Sequence, residues 1–206
     1  TCWSNLHGDL SDPTACLALR DSVTDLIAQA HSPIAAVAHD LHPDFFSTRL
    51  ALQTADELQV PAIAVQHHHA HIATVMAEHG LTQPVLGLAL DGVGLGSDGL
   101  AWGGELLRVD VTGFKRLAHL QSLALPGGDV AAREPWRMGA ALLHVLGQTD
   151  HILPRFTPVV GEQAAKTIAT MLVRGLNCPQ TTAAGRWFDA VAGLLGLTLR
   201  QDFEAQ

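Results

Sequence analysis

Apolar positions in the first ninety residues switch between two spacings. In PTACLALRDSVTDLIAQAH (13–31) they recur every three or four residues, and Asp12 followed by Pro13 supplies the capping and first-turn signals of a helix. IAAVAHD (34–40) is a short apolar run suited to a buried strand, and PDFFSTRLALQTADEL (43–58) restarts helical spacing after a proline. PAIAV (61–65) reads as a strand, HHHAHIATVMAEHG (67–80) as a helix closed by Gly80, and PVLGLAL (84–90) as a strand again. Strands alternating with helices predict an α/β architecture with a largely parallel sheet.

The texture changes after Asp91. DGVGLGSDG (91–99) is rich in glycine, and AWGGELLRVD (101–110) with GFKRLAHLQ (113–121) has the pattern of a β-hairpin or meander. LPGGDVAAREPWR (125–137) is a loop entering a helix, and 138–195 is mostly helical with a looser patch at 148–161. A boundary is expected near 123–130, dividing an α/β part (1–124) from a mostly helical part (125–206).

On a helix, His67 and His71 lie on one face with Cβ atoms roughly 5–6 Å apart, a spacing that lets two imidazoles hold one metal ion. Thr74 and Glu78 share that face, whereas Ile72, Val75 and Met76 occupy the sides where a core would lie. His68 and His69 point elsewhere and are expected to pack or to support. An isolated HxxxH also fits a polar stripe of surface histidines. The surroundings set this one apart: His67 follows a strand directly, at the carboxyl edge where open α/β sheets bind ligands, and Asp91 stands at the end of the next strand. Neighbouring strand ends would then join two nitrogens and one carboxylate. A protease-type HExxH site is disfavoured, because His68 holds the position of the general base.

The glycine run lacks GK[ST] and precedes a strand, which excludes a Walker A loop and a Rossmann fingerprint. Gly92, Gly94 and Gly96 fit either a nest of N–H groups for phosphate or a tight turn with positive φ. Pro126-Gly127-Gly128-Asp129 reads as a connection between domains. In TTAAGRWFDAVAGLLG (181–196), Phe188, Val191 and Leu194 have core spacing, while Gly185 permits close approach and Asp189 is placed to hydrogen-bond a ribose or to serve the fold.

Composition narrows the classes. The 206 residues are 48% hydrophobic and 16% charged, as in a globular chain with a real core. A net charge of −8, with Lys115 and Lys166 the only lysines, argues against duplex nucleic acid as a primary partner. Cys2, Cys16 and Cys178 form no CxxC pair and fit a reducing, cytoplasmic setting. TCWSNLHGDL has neither a basic nor an apolar signal region, and no run of about 18 apolar residues marks a membrane span.

The strings HGDL (7–10), VAHDLHPDFFSTRLA (37–51), VQHHHAHIATVMAEHG (65–80), LALDGVGLGSDGLAWGGELLRVD (88–110), LPGGDVAAREPWRMGAAL (125–142) and AAGRWFDAVAGLLGL (183–197) together resemble the HypF carbamoyltransferase family, in its Kae1-like domain. The resemblance implies an actin/hsp70-like (ASKHA) fold of two α/β lobes around a nucleotide cleft, incomplete here and more helical in its second half. It implies a metal site at His67, His71 and Asp91, the three that helix spacing and strand-end placement also single out, with iron and zinc both open. It places Gly92, Gly94 and Gly96 against phosphate, and Gly185 and Asp189 on the nucleoside side. No catalytic side chain is assigned.

The implied reaction starts from carbamoyl phosphate and ATP, from which a YrdC-like region makes carbamoyl-adenylate. The carbamoyl group then passes to the C-terminal cysteine of a HypE-type partner, on the way to the cyanide ligand of [NiFe]-hydrogenase. The family's chain begins before HGDL and continues past DFEAQ, where its last metal-binding Asp lies. A metal held by His67, His71 and Asp91 alone is therefore expected to be weakly bound. Two other classes stand beside this one: a related tRNA threonylcarbamoyl-transferase, disfavoured by the WGGE and PGGD contexts and by the acidic charge, and a noncatalytic remnant that docks on a partner.

Overall fold

The computed structural model describes residues 2–201. They form two compact units, the first ending at His67 and the second beginning at His68.

The first unit opens with α1 (Pro13–Ala28), where the Asp12 carboxylate accepts the Thr14 N–H at 2.8 Å and Pro13 fills the first turn. Strands β1 (Val37–Asp40) and β2 (Ala62–Val65) pair in parallel, with Asp40 opposite Val65, and α2 (Phe46–Glu57) makes the crossover between them. Leu50, Thr54 and Ala55 are buried along α2.

The second unit takes in α3 (His67–Glu78) after its first residue. Strands β3 (Val85–Leu95), β4 (Ala101–Asp110) and β5 (Gly113–His119) form an antiparallel meander, and short strands β6 (Leu123–Ala124) and β7 (Gln180–Thr181) complete a sheet ordered β3-β4-β7-β6 with β5 also on β4. The largely parallel sheet expected from the element order is corrected. Among the described strands only β1–β2 and β4–β7 are parallel, because the turns joining β3, β4 and β5 are too short for a crossover.

The helices of this unit are α4 (Asp129–Arg133), α5 (Pro135–Val145), α6 (Ile152–Val160), α7 (Glu162–Arg174) and α8 (Ala184–Leu195), with a 3-10 turn at Thr149–His151. The boundary placed near 123–130 falls inside this unit, where sheet gives way to helices. One core gathers Trp136, Met138, Ile152, Phe156, Ile168 and Leu172; another joins Ile72 and Met76 of α3 to Ala89, Trp102, Leu107 and Val109 of the sheet. Among the described residues, no helix is long and apolar enough to cross a membrane.

Helix α8 corrects the expected core face. Phe188 and Val191 are 74% and 46% exposed, Leu194 is half-buried, and the buried residues are Ala184, Arg186, Asp189, Ala190 and Gly193. The cause is the closeness of α5: a Cβ on Gly193 would stand 2.0 Å from the Pro135 carbonyl oxygen, and one on Gly139 would stand 2.7 Å from the Leu194 nitrogen. Where backbones touch, small residues face inward and apolar bulk does not report burial. Gly193→Ala is expected to lower stability by about 2–3 kcal/mol, because Pro135 offers rigid backbone rather than a yielding side chain. The urea midpoint of the variant against the parent measures it.

Candidate functional site

The parallel pairing of β1 with β2 brings their carboxyl ends side by side. Asp40 ends β1, His67 follows β2, and the two meet with His67 Nδ1 2.9 Å from Asp40 Oδ2. His67 does follow a strand directly, but the carboxylate at the end of that strand's parallel neighbour is Asp40, for which no role was expected. Its signal was there, as the last residue of the strand run 34–40.

Along α3, His68, Ile72 and Met76 form the buried stripe, one turn apart, and His68 is fully buried. Val75, expected near the core, is 50% exposed. His71 stands one turn after His67, and its side chain is 61% exposed. His68 packs beside Trp102, with ring centroids 6.3 Å apart, and His69 lies 5.1 Å from the Phe114 ring.

Asp91 is not at a strand end. Strand β3 runs on to Leu95, and between the pairs Leu90↔Gly104 and Gly94↔Trp102 the three residues Asp91–Val93 oppose Gly103 alone. This bulge re-aims the Asp91 side chain, as bulges beside sites do. Asp91 Oδ1 accepts the Gly92 N–H at 2.7 Å, while Oδ2 lies 3.6 Å from His68 Nε2 and 3.7 Å from His71 Nε2. The ligand atoms of His67, His71 and Asp91 all fall within 4.8 Å of one another. The 3.7 Å between His71 and Asp91 is too long for a hydrogen bond. It is close to the edge of about 3.4 Å that two ligands of a tetrahedral ion with bonds of about 2.1 Å would span, and imidazole and carboxylate donors are of the kind that divalent iron or zinc accepts.

Packing accounts for part of the glycine run. Asp91–Leu95 is strand, and of the glycines between 92 and 99 only Gly99, at φ 78°, has left-handed backbone. Gly96 is small because a Cβ there would lie 2.2 Å from Trp102 Nε1. Gly94 is buried in register with Trp102, and Gly92 faces Gly185, whose Cβ would be 3.2 Å from the Gly92 Cα. The run thus lets Trp102 and the start of α8 close on β3. Asp189 is buried, with Oδ2 3.0 Å from Arg186 Nε and Oδ1 accepting from Gln201 Nε2 at 2.5 Å. Gly127 and Gly128 adopt positive φ in a tight turn leading into α4.

Sequence reasoning missed the network beneath. Glu105 of β4 is fully buried, and Oε2 accepts from Arg116 Nε at 2.6 Å while Oε1 accepts from Gly103 N–H, Gly104 N–H and the Thr182 hydroxyl. Arg116 stacks 4.0 Å over Trp102 and also donates to Asp98. Burial pushes the Glu105 carboxyl up; the hydrogen bonds from Arg116, Thr182 and Gly103, with the Arg116 charge, outweigh it and hold the group below its ordinary range.

Residues 87–206 match the family model described as "Carbamoyltransferase, Kae1-like Domain, second subdomain", and residues 1–78 match "HypF Kae1-like domain". A curated relative from Cupriavidus necator, "Carbamoyltransferase HypF homolog", is 65% identical over 204 residues, covering 99% of this chain and 52% of its own. A crystal structure of full-length HypF in the phosphate- and nucleotide-bound form superposes with a TM-score of 0.83 at 35% identity, over 96% of this chain and 30% of that one. The T. kodakarensis HypF structure gives 0.87 at 33%, over 98% and 28%. The chain therefore spans about half the length of the curated relative and under a third of each solved structure.

The buried Glu105 pair makes a sign-specific prediction. A carboxyl lowered in the folded state contributes stability that is complete above the ordinary glutamate value of about 4.3 and is lost as pH falls through the lowered value. Urea midpoints should show Glu105→Gln destabilised at pH 7, with the gap to the parent closing on acidification through that window. Glu105→Ala, which leaves Arg116 only its weaker contacts with Asp98 and Thr182, should cost more than Glu105→Gln at pH 7.

Proposed function

The chain belongs to the HypF carbamoyltransferase family, and from that premise we propose that it carries out the carbamoyl-transfer step, passing the group from carbamoyl-adenylate to a protein thiol. The observation that carries this reading is the convergence of His67, His71 and Asp91 within 4.8 Å, at the positions the family motifs reserve for metal ligands. These three would hold divalent iron or zinc, an ion that when bound supplies a Lewis acid for phosphate and carbamoyl oxygens.

The chain's own residues bind and orient. Helix α8 starts without a side-chain cap at Ala183, which leaves its positive dipole end to an anion, here the adenylate phosphate. Gly185 and Gly92 keep that end free of side-chain bulk, and Gly94 and Gly96 let the sheet close behind it. Asp189, locked to Arg186 and Gln201, steadies the first turns of α8 on the nucleoside side. Carbamoyl-adenylate would come from carbamoyl phosphate and ATP through a YrdC-like region.

The acceptor is the C-terminal cysteine of a HypE-type partner in the cytoplasm. Its thiolate attacks the carbamoyl carbon, the C–S bond forms, the bond to the phosphate oxygen breaks, and AMP departs with the electron pair. The thiocarbamate is the precursor of thiocyanate and so of the cyanide ligand of [NiFe]-hydrogenase. A net charge of −8 favours this protein acceptor over tRNA.

Co-purification with a HypE-type protein, run beside a carbamoylation assay in the full-length enzyme, tests the proposal. The double variant His67→Ala, His71→Ala is expected to lose bound zinc and to slow transfer by about 100-fold or more, the equivalent of several kcal/mol of charge stabilisation. Tight metal binding that survives both substitutions would overturn the site. Partner binding without transfer by the parent enzyme would assign a docking role instead.

A further inference from the structure

We infer that Asp40 is the positioning residue for His67: it holds the imidazole as its Nδ1–H tautomer and so reserves Nε2 for a metal. The inference rests on the metal site proposed for His67, His71 and Asp91. A carboxylate only accepts, so the 2.9 Å contact between Asp40 Oδ2 and His67 Nδ1 requires the proton on Nδ1. An imidazole left to water prefers its proton on Nε2, which would block that nitrogen as a ligand. Asp40 reverses the preference. In metal centres such an outer carboxylate fixes both the tautomer and the ring orientation and strengthens the donor nitrogen.

Asp40 is itself held tightly enough to impose an orientation. Its side chain is 18% exposed, and Oδ1 accepts the His42 N–H at 2.8 Å. Its backbone carbonyl accepts from the His39 ring at 2.7 Å and from the Thr48 hydroxyl at 3.4 Å. Strand pairing adds register, since Asp40 lies opposite Val65, two residues before His67. Asp40 stands outside the converging group of His67, His71 and Asp91, so its place is behind a ligand rather than among the ligands.

The test uses the full-length protein, with zinc alone as the probe and a competing chromophoric chelator to read affinity. Nitrogen-15 NMR of the histidine rings in the metal-free protein reads the tautomer. Wild-type His67 should be protonated on Nδ1. Asp40→Ala should shift the proton towards Nε2 and weaken zinc by about 10–100-fold, with an unchanged circular dichroism spectrum. Asp40→Asn, whose amide oxygen still accepts from Nδ1–H, should keep the tautomer and recover most of the affinity. A wild-type His67 protonated on Nε2, or an Asp40→Ala protein that binds zinc within about twofold of wild type, overturns the inference.

The two readings fail separately. Zinc affinity untouched by His67→Ala with His71→Ala sinks the metal site and the ligating role together. Zinc lost in that double variant but retained in Asp40→Ala sinks the role of Asp40 alone. Should Asp40→Ala not fold, the wild-type tautomer and Asp40→Asn decide the matter.

Discussion

The carboxylate of Glu105, sealed from solvent inside the sheet, is the constraint from which the geometry of the second unit follows. A buried charge is tolerable only when paired and fully hydrogen-bonded, and Glu105 draws four partners from three places: Arg116 on β5, Thr182 after β7, and the N–H groups of Gly103 and Gly104 on its own strand. Meeting that demand pulls backbone into contact. A Cβ on Gly103 would lie 2.8 Å from the Asp91 carbonyl, and one on Gly104 would lie 2.5 Å from that of Thr182. The glycines of the WGGE string are there because backbones meet at them. The bulge carrying Asp91 and the segment leading into α8 are thus held against one short stretch of β4.

Trp102 joins this network to α3. Its indole N–H donates to Asp98, its face receives Arg116, and its ring packs beside His68 and edge-on to Phe114. The helix accordingly buries His68, Ile72 and Met76, and that choice rotates His71 outward, to 61% side-chain exposure. A helix cannot bury all the imidazoles of HHHAH at once. Fixing which one goes inward settles where the others point.

What could be read from sequence depended on whether a position answered to local rules. Helix α1, its Asp12 cap and the run of elements from α1 to the start of β3 all follow from spacing and capping chemistry, and the structure has them. The HypF motifs, and with them the Kae1-like α/β fold, were legible because several strings occur in family order. The mixed sheet was not, since strand order depends on which distant segments pair. Nor was the inner face of α8: Phe188 and Val191 have the right period and the wrong side, because close contact with α5 selects glycine and alanine there. Asp40 and Glu105 were missed for a related reason. Each acts through a partner far away in sequence, His67 across 27 residues and Thr182 across 77.

The surplus of histidine resolves into separate tasks set by environment. His67 is tied to Asp40 through Nδ1, His68 is buried between Trp102 and Asp91, His69 lies against Phe114, and His71 faces Asp91 across a gap too long for a hydrogen bond. A polar stripe of surface histidines would have no use for a buried member, a bulged strand aiming a carboxylate, or an aspartate committed to the first ring. Two imidazoles of one residue type, four positions apart, are thereby made unequal: one is oriented from behind by a carboxylate, the other is left exposed. As the proposed metal ligands, such a pair would have one arm held by a carboxylate and one arm open to solvent. Such an arrangement suits an ion that must accept oxygen ligands from a substrate as that substrate arrives and leaves.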